Sequence, residues 1–242
     1  MHIIKLDATA STNAYLKDLW QEEKAVDETV VWTRHQYGGR GLQGTEWHSE
    51  AGKNLTFSVL KYFDGLEVQQ QFVLNMAVSL AIQQALKDMK IPDISIKWPN
   101  DILSGSLKIC GILIENIVKA KEIRASVIGI GLNVNQEDFG TLEGAGSLRL
   151  ITGLTYDLDS LISLIIKHLQ TRLRTFTMVS YPELKKAYEE MLYRIGTPST
   201  FVLPDGAKFI GIIRGIANDG RLIVGTEGGI LEFSMKEIRL LN

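Results

Sequence analysis

The sequence of 242 residues contains one cysteine and no apolar run long enough to cross a membrane. This cysteine, Cys110, cannot form an internal disulfide framework, which indicates a reducing compartment. The opening residues, MHIIKLDATASTN, lack the apolar core of a secretory signal peptide. These absences together predict a cytoplasmic protein.

The chain also lacks a strong charge of either sign and the motifs of several common enzyme classes. A formal net charge of −2 gives no general attraction to nucleic acid or anionic membrane, and the sequence has neither a helix-turn-helix pattern nor a basic face. It has no metal-ligand cluster, no Ser-His-Asp arrangement at a supporting spacing and no G-x-x-x-x-G-K-[ST] phosphate loop. A G-x-G-x-x-G spacing occurs at Gly39, Gly41 and Gly44, but no helix follows it, so a dinucleotide-binding turn is excluded.

A glycine-rich stretch, RHQYGGRGLQGTEW, runs from Arg34 to Trp47 between two segments with the composition of strands. About a dozen residues are more than a hairpin turn needs, which favours a functional loop over a connector. Glycine N–H groups can approach an anion closely, and the guanidinium of Arg40 stays charged. The stretch therefore predicts a flexible cradle for a phosphate or carboxylate, with a mobile loop without function as the alternative.

Two polar groups follow predicted strands. Ser11, Thr12 and Asn13 come after the first strand, where one of them can cap the following helix and the others remain available for hydrogen bonds. Lys97 ends a later strand, ahead of a Trp-Pro-Asn-Asp turn. Its charge could neutralise a developing anion, and an isolated surface lysine is the simpler alternative.

The segment ASVIGIGLNVN alternates between an apolar side and a side that carries Gly129, Gly131 and Asn133. The apolar side should face the core. Two glycines on the other side indicate either a ligand lying against the sheet or a helix packed closely on it. The residues alone do not separate these two interpretations.

Three longer helices are also predicted. The segment VQQQFVLNMAVSLAIQQALKDM has the apolar spacing of an amphipathic helix laid on a core. An apolar stripe from Leu158 to Phe176 predicts the second helix, and Ser180 with Glu183 predicts a capping box at the start of the third. From Ile195 onward, about five short strands with turn signals between them predict a small β barrel. We expect an α+β protein with two domains, residues 1–193 and 194–242.

Several of these features occur in the order found in biotin protein ligases, which the chain resembles. The matching segments are Ser11-Thr12-Asn13, Gln36 ahead of Gly39-Arg40-Gly41, Lys97-Trp98-Pro99-Asn100-Asp101, Lys108 to Glu115, and Gly129 to Asn133. The K-W-P-N-D motif after a G-R-G loop is highly specific, and the small C-terminal barrel extends the resemblance over essentially the whole chain. Some members carry an N-terminal helix-turn-helix that represses transcription. Because this chain starts at the first strand of the catalytic domain, it resembles the monofunctional form.

The resemblance implies a catalytic domain of mixed sheet and helices, related to class II aminoacyl-tRNA synthetases, with an SH3-like barrel behind it. It also implies two half-reactions. The carboxylate of biotin attacks the α-phosphate of Mg-ATP, which gives biotinyl-5′-AMP and pyrophosphate, and the amine of one lysine on a carrier protein then displaces AMP. The implied partner is the biotin carboxyl carrier protein of acetyl-CoA carboxylase or a related carboxylase, and the implied assembly is a monomer or homodimer.

The resemblance further assigns roles to individual residues. Arg40 and Lys97 are the implied catalytic residues, which offset the negative charge of the transition state. The implied contacts of biotin and its adenylate are Ser11, Thr12, Asn13, Gln36, Gly39, Arg40, Gly41, Leu42, Trp47, Lys97, Gly111, Gly129, Gly131 and Asn133. The polar residues at 11–13 and 36 would hydrogen-bond biotin, Trp47 would wall its pocket, and the two glycines of ASVIGIGLNVN would leave room for its ring. The metal ligands are unknown, and residues 139–147 are a candidate for adenine contacts.

One position departs from the family's loop, which is often G-R-G-R-x-G. Leu42 and Gln43 follow Gly41 here, so Arg40 supplies the only charge between Gly39 and Gly44. This implies either a weaker hold on the adenylate or compensation from elsewhere, and our hypothesis is that the adenylate leaks more readily than in members with two arginines. Two other functions stay open. A lipoate–protein ligase or octanoyltransferase shares the fold but lacks the K-W-P-N-D run, whereas a non-catalytic biotin-binding module would not need both Arg40 and Lys97.

Overall fold

The structure, a computed structural model, describes residues 2–175 and 180–241. Its first nine strands are β1 (His2–Thr9), β2 (Thr29–Gln36), β3 (Gly39–Arg40), β4 (Glu46–Trp47), β5 (Leu55–Glu67), β6 (Ile94–Lys97), β7 (Asp101–Ser104), β8 (Leu107–Lys119) and β9 (Glu122–Leu132). Seven of them form one sheet in the order β1-β2-β5-β9-β8-β7-β6. Strands β1 and β2 pair in parallel and the other neighbours pair antiparallel, so the sheet is mixed as expected.

Helices cover both faces of this sheet. They are α1 (Thr12–Gln21), α2 (Gln71–Asp88), α3 (Leu148–Thr152), α4 (Leu158–Thr175) and α5 (Tyr181–Glu190), with 3-10 turns at Leu42–Gly44 and Val68–Gln70. Leu16 of α1 packs with Val127 in a small core on one face, whereas Ile128 and Ile130 belong to the main core with α2, α4 and α5 on the other. The predicted alternation along β9 is thus confirmed, and its glycines lie on the α1 face.

The helix predictions hold in outline and differ at particular residues. Helix α2 is buried on most of its surface rather than along one stripe, because α4 and α5 pack on the side that faces away from the sheet. Helix α4 begins at Leu158 as predicted, and Phe176 lies outside the described residues. The predicted capping box is wrong: the Ser180 side chain makes no capping hydrogen bond, and its backbone carbonyl accepts the N–H of Glu183. Among the described residues, no helix is long and apolar enough to span a membrane.

The C-terminal part forms a second sheet, as its turn signals predict. Its strands are β10 (Pro198–Val202), β11 (Lys208–Ile216), β12 (Leu222–Thr226), β13 (Gly229–Phe233) and β14 (Arg239–Leu240), in the order β13-β12-β11-β10-β14. The chain reaches this sheet through residues that pair with both parts: Leu192 bridges to Ile96 of β6, and Ile195 bridges to Ile213 of β11. A side-chain bond adds to this junction, since Trp98 Nε1 donates to the Gly220 carbonyl at 2.9 Å.

The glycine-rich stretch is more ordered than its sequence suggests. Within the predicted loop, β3 and β4 pair as a short hairpin that places Gly39 opposite Trp47 and Arg40 opposite Glu46. The 3-10 turn at Leu42–Gly44 connects them. The predicted loop from Arg34 to Trp47 thus begins with the last residues of β2 and contains a short hairpin, and its flexibility stays a prediction.

Candidate active site

A cavity of about 630 Å³ lies where the α1 face of the large sheet, the β3–β4 hairpin and the C-terminal sheet meet. All but two of the residues expected to contact substrate line it, and both predicted catalytic residues, Arg40 and Lys97, are among them. The lining residues from the predicted set are Ser11, Thr12, Asn13, Gln36, Arg40, Gly41, Leu42, Trp47, Lys97, Gly111, Gly129 and Gly131. Five stretches that are far apart in sequence thus converge on one cavity.

The floor of the cavity begins at Gly129, which pairs with Ser58 of β5 on one side and Leu113 of β8 on the other. The side-chain amide of Asn13 lies across this row of three residues. A Cβ at residue 129 would come within 2.4 Å of Asn13 Oδ1, so only glycine leaves the amide in this place.

Gly131 repeats this arrangement one step further along β9. It pairs with Thr56 and Gly111, and the indole of Trp47 lies on it, because a Cβ there would be 2.3 Å from Trp47 Cε2. Both glycines line the cavity, but the space directly above them holds side chains of this chain. The glycines seat Asn13 and Trp47, which also line the cavity, and the expectation that this side of the sheet leaves room for the biotin ring stays a prediction.

The polar end of the cavity is a buried hydrogen-bond network. Ser11 caps α1, with its side chain accepting from the Ala14 N–H, so the simple capping interpretation is confirmed for this residue. The Thr12 N–H donates to Gln36 Oε1 at 2.9 Å, which leaves the Gln36 Nε2 group for other partners. Ser58, which the sequence did not single out, lies beneath Thr12 and Asn13 and is fully buried.

The other end of the cavity is cationic. Lys97 and Asp101 face each other across the Trp-Pro-Asn-Asp turn, and Lys108 Nζ lies 2.7 Å from Asp101 Oδ1. Burial lowers the pKa of Lys97 below its usual value, Lys108 and Arg239 lower it further, and Asp101 opposes the shift. Three positive groups around one carboxylate leave an excess of positive charge, which suits a polyphosphate or a carboxylate.

The turn that follows Lys97 is held from several sides. Asn100 Nδ2 donates to the Ile112 carbonyl at 2.8 Å, and the Ile112 N–H donates back to the Asn100 carbonyl. Trp98 is bonded to Gly220 of the C-terminal sheet, as described above. These bonds fix the end of β6 relative to both sheets, so the position of Lys97 depends on the C-terminal sheet as well as on its own strand.

Arg40 lies on β3 and is exposed at the cavity margin. Its charge also reaches Glu115 of β8. Burial alone would raise the pKa of the Glu115 carboxyl, but hydrogen bonds from Lys17 and Asn13, with the charges of Lys17 and Arg40, hold that pKa below its usual value. Glu115 is therefore a carboxylate at neutral pH.

Two predicted contact residues lie outside the cavity lining. Asn133 Nδ2 donates to the Gly146 carbonyl at 2.9 Å, so this side chain anchors the segment of residues 139–147. Gly39 is packed between Trp47 and Gln36, and a Cβ there would be 2.4 Å from the Trp47 carbonyl oxygen. Direct contact of either residue with substrate stays a prediction that this placement does not support.

Other residues of the site were missed by the sequence interpretation. Lys108 and Glu115 stand at the two ends of a segment that resembles the family, and their charges were the available signal. Arg239 of β14 and Lys236, in the turn between β13 and β14, also line the cavity, and no local pattern in the sequence indicated either residue. Within the described residues, no group of three or more His, Cys, Asp or Glu side chains is placed to hold a metal ion.

Comparisons with known proteins show the family of this chain. A family model described as "Biotin/lipoate A/B protein ligase family" matches residues 6–133, just over half of the chain. The chain is 30% identical over 243 residues to the bifunctional ligase/repressor BirA of Bacillus subtilis, covering 99% of this chain and 74% of that protein. It is 29% identical over 233 residues to the biotin–[acetyl-CoA-carboxylase] ligase of Mycobacterium tuberculosis, covering 95% of this chain and 85% of that protein.

A solved structure is similar over the full length. The biotin protein ligase of Aquifex aeolicus in complex with biotin and ATP superimposes with a TM-score of 0.82 and 27% identity, covering 100% of this chain and 99% of that one. The match therefore extends beyond the family model into the C-terminal sheet. The chain belongs to the biotin/lipoate A/B protein ligase family.

Proposed function

We propose that this chain attaches biotin to a lysine of a carrier protein in an ATP-dependent reaction that passes through biotinyl-5′-AMP. The chain is a biotin ligase, and its substrates are biotin and ATP. The observation that carries the proposal is the division of one cavity into a polar end at Thr12 and Gln36 and a cationic end at Lys97. Biotin has the matching division, with a cyclic urea at one end and a carboxylate at the other.

In the first half-reaction the carboxylate of biotin attacks the α-phosphorus of ATP, a P–O bond forms, and pyrophosphate leaves with the electrons of the broken bond. Two anions must approach each other, and charge gathers on the phosphorus oxygens. Lys97 and Arg40 supply fixed positive charge where that charge develops, an effect worth roughly 3–4 kcal/mol for one donor in enzyme mutants. Lys108 and Arg239 add to the same field.

In the second half-reaction a neutral lysine amine of the carrier attacks the carbonyl carbon of the mixed anhydride. A C–N bond forms, AMP leaves, and the ammonium proton is lost to solvent. Until the amine arrives, the adenylate must be kept from water. The β3–β4 hairpin supports this step of the proposal, since Arg40, Gly41 and Leu42 all line the cavity.

Mg²⁺ enters this proposal as part of the Mg-ATP substrate. Mg²⁺ in nucleotide sites keeps several waters and is held by phosphate oxygens with one or two carboxylates. Asp101 and Glu46 are lining carboxylates that fit this limited role, and Asp101 lies beside Lys97 and Lys108. The ion supplies charge neutralisation at the phosphates, while the residues named above orient the two substrates.

We also assign the finer features of the fold by resemblance. The large sheet with its helices corresponds to a catalytic domain of the class II aminoacyl-tRNA-synthetase type, residues 1–193, and the C-terminal sheet to an SH3-like barrel, residues 194–242. The cavity-lining side chains of Lys236 and Arg239 support a role for this second unit in catalysis rather than only in stability. Residues 139–147 remain the candidate for adenine contacts.

The proposed acceptor is the biotin carboxyl carrier protein of acetyl-CoA carboxylase or of a related carboxylase, which the name of the Mycobacterium tuberculosis relative supports. A cytoplasmic location fits the single buried, unpaired cysteine, Cys110, whose pKa is raised by burial. Whether the enzyme acts as a monomer or a homodimer would follow from its mass in solution.

The test is biotin-dependent exchange between ATP and pyrophosphate by the purified protein. We expect exchange that requires biotin and falls by roughly a hundredfold or more in Lys97→Ala. Lys186→Ala removes a lysine whose side chain is 80% exposed on α5, and this control should exchange like the original protein. Exchange with lipoate or octanoate but not biotin would assign the chain to the other branch of the family, and biotin binding without exchange would leave a binding module.

A further inference from the structure

Glu115 lies beneath the polar end of the cavity and is clamped by two residues of α1. Asn13 Nδ2 donates to Glu115 Oε2 at 2.7 Å, and Lys17 Nζ bonds to Glu115 Oε1. Asn13 and Lys17 are four residues apart and therefore share one face of the helix. Glu115 is not among the residues that line the cavity, and Asn13 is the lining residue that is hydrogen-bonded to it.

The contacts of Asn13 determine which way its amide points. Its Nδ2 group lies 2.7 Å from the Glu115 carboxylate and 3.3 Å from the Leu113 carbonyl, and both of these groups can only accept hydrogen bonds. The amide nitrogen must therefore face β8. Its oxygen, Oδ1, must then face β5, where Ser58 Oγ lies 2.5 Å away.

The amide oxygen in turn orders the hydroxyl hydrogens of the network. Ser58 Oγ has one hydrogen and two near oxygens, Asn13 Oδ1 at 2.5 Å and Thr12 Oγ1 at 2.7 Å. Because an amide oxygen cannot donate and a contact of 2.5 Å between oxygens requires a hydrogen, Ser58 donates to Asn13. The Thr12 hydroxyl then donates to Ser58, and its own hydrogen points away from the cavity.

The opposite order is available to the same atoms when the amide is not held. If Asn13 were reversed, its nitrogen would donate to Ser58, Ser58 would donate to Thr12, and Thr12 would donate to Gln36 Oε1, which lies 3.2 Å from Thr12 Oγ1. In that order the Thr12 oxygen accepts the hydrogen of Ser58, and the hydroxyl hydrogen of Thr12 points to Gln36 Oε1. A ligand N–H would then share the Thr12 oxygen with the Ser58 hydroxyl, whereas in the first order Ser58 does not donate to that oxygen.

We propose that Glu115 is a positioning residue that sets the donor–acceptor polarity of the cavity through the chain Asn13, Ser58 and Thr12. It keeps the Thr12 oxygen as an acceptor for a ring N–H, while the Thr12 N–H holds Gln36 with its Nε2 group available as a donor to a carbonyl. The inference rests on the proposed function, because a cyclic urea carries both groups side by side. Its consequence is a specific loss of biotin affinity, without loss of ATP affinity, when the carboxylate becomes an amide.

The experiment compares biotin binding by calorimetry in the original protein, Glu115→Gln, Ser58→Ala and the double variant. Glu115→Gln keeps the size of the side chain but can either accept or donate, so both orders of the network become accessible. We expect biotin to bind roughly 10- to 100-fold more weakly, the range for one buried hydrogen bond left unsatisfied. Because both single changes interrupt one chain, the double variant should bind no more weakly than the poorer single variant.

Lys17→Met is the matched control, which tests whether Glu115 acts only as a structural anchor of α1. It removes the ion pair between α1 and β8 and leaves the bond between Asn13 and Glu115 in place. We expect its biotin affinity to stay within about threefold of the original, and ATP affinity to be unchanged in all variants. If Glu115→Gln fails to fold, Ser58→Ala alone decides: an unchanged biotin affinity there overturns the inference.

Each result has one meaning. Biotin affinity in Glu115→Gln within threefold of the original, losses that multiply in the double variant, or an equal loss in Lys17→Met would overturn the inference and leave Glu115 as a structural anchor of α1. Absence of biotin binding by the original protein would instead overturn the proposed function. The two failures are therefore distinguishable.

Discussion

The indole of Trp47 lies directly on the backbone of Gly131, so that a Cβ at residue 131 would come within 2.3 Å of the ring. Trp47 comes from the β3–β4 hairpin and Gly131 from the middle strand of the large sheet. The contact joins the glycine-rich stretch to the sheet and gives the cavity its wall. A glycine on the sheet is thus what allows the hairpin to dock.

Gly131→Ala should displace the indole and damage the cavity. A methyl group inserted into a packed site typically costs about 1–3 kcal/mol of stability, and here the ring can move only toward the ligand space or toward solvent. We expect a loss of that size in chemical denaturation and biotin binding weakened by roughly tenfold or more.

Gly111→Ala is the graded control, because its Cβ would meet the same ring at 3.1 Å, a distance that a small shift relieves. We expect it to bind biotin more tightly than Gly131→Ala. Equal effects of the two changes would argue that Trp47 is not seated as described.

The sequence indicated those parts of the site that depend on local pattern. Gly129 and Gly131 were found because alternation along a strand is a period-two signal, and Lys97 because a proline turn marks its strand end. Contacts between distant parts of the chain could not be predicted in this way. Asn13 and Glu115, for example, are separated by 102 positions, and no local pattern links them. Paired strands of two residues, such as β3 and β4, are too short to show any period, so the sequence predicts only a loop where the structure has a hairpin.

The lowered pKa of Lys97 predicts an early alkaline limit for the first half-reaction. The site needs the charged form, and burial among other cations makes this lysine lose its proton at a lower pH than an exposed lysine would. As pH rises through that lowered pKa, anionic substrates lose an attractive charge. We expect the rate of ATP–pyrophosphate exchange to decline on the alkaline side with the pH dependence of a single ionisation.

Lys97→Arg separates charge from geometry in this prediction. A guanidinium does not lose its proton in the accessible range, so the alkaline decline should move to higher pH even if the maximal rate falls by roughly tenfold through altered geometry. A decline at the same pH in the arginine variant would assign the titration to another group.

Trp98→Phe should reduce the rate of adenylation through the position of Lys97. The change removes the 2.9 Å hydrogen bond to Gly220 and leaves that carbonyl without this donor. The expected loss of stability is about 0.5–1.5 kcal/mol. Because Trp98 follows Lys97 directly, the rate of exchange at saturating substrate should fall as well.

Tyr181→Phe is a matched control for this bond. It removes a hydrogen bond from α5 to Asn218, in the same turn of the C-terminal sheet, at a residue that does not line the cavity. We expect a change in stability with the exchange rate preserved. If both variants slow exchange equally, the rate depends on attachment of the C-terminal sheet in general and not on the placement of Lys97 by Trp98.

Arg239→Ala should weaken ATP binding and shift the pH profile at the same time. Arg239 lines the cavity from β14, and its charge contributes to lowering the pKa of Lys97. Removal of this cation should raise the apparent KM for ATP by roughly tenfold, as for a charged hydrogen bond of about 1.5 kcal/mol. It should also raise the pKa of Lys97, which moves the alkaline decline of exchange to higher pH.

Arg214→Ala tests whether any arginine of the C-terminal sheet has this effect. Arg214 follows the cavity-lining Ile213 on β11, and its side chain lies against Gly225 on the other face of the sheet. The KM for ATP and the pH profile should both stay as in the original protein. A pH profile that is unchanged in Arg239→Ala would contradict the electrostatic role of Arg239.

Leu42→Arg should strengthen the hold on the adenylate. Leu42 lines the cavity at the start of the 3-10 turn, and the turn is secured by its backbone carbonyl, which accepts from the Thr45 N–H and hydroxyl. The side chain can therefore be exchanged without loss of these bonds. An added guanidinium beside Arg40 supplies a second charge for the phosphate of biotinyl-5′-AMP, worth about 1.5 kcal/mol or a tenfold slower release.

The measurement for Leu42→Arg is the labelling of an unrelated bystander protein in the presence of biotin and ATP, since released adenylate reacts with any exposed lysine. Leu42→Gln provides a side chain that is polar and extended but uncharged. We expect reduced bystander labelling in the arginine variant alone, with carrier labelling maintained. If the glutamine variant reduces labelling equally, closure of the hairpin rather than charge retains the adenylate. If neither variant changes it, the single arginine of this loop already holds the intermediate long enough for the carrier to arrive.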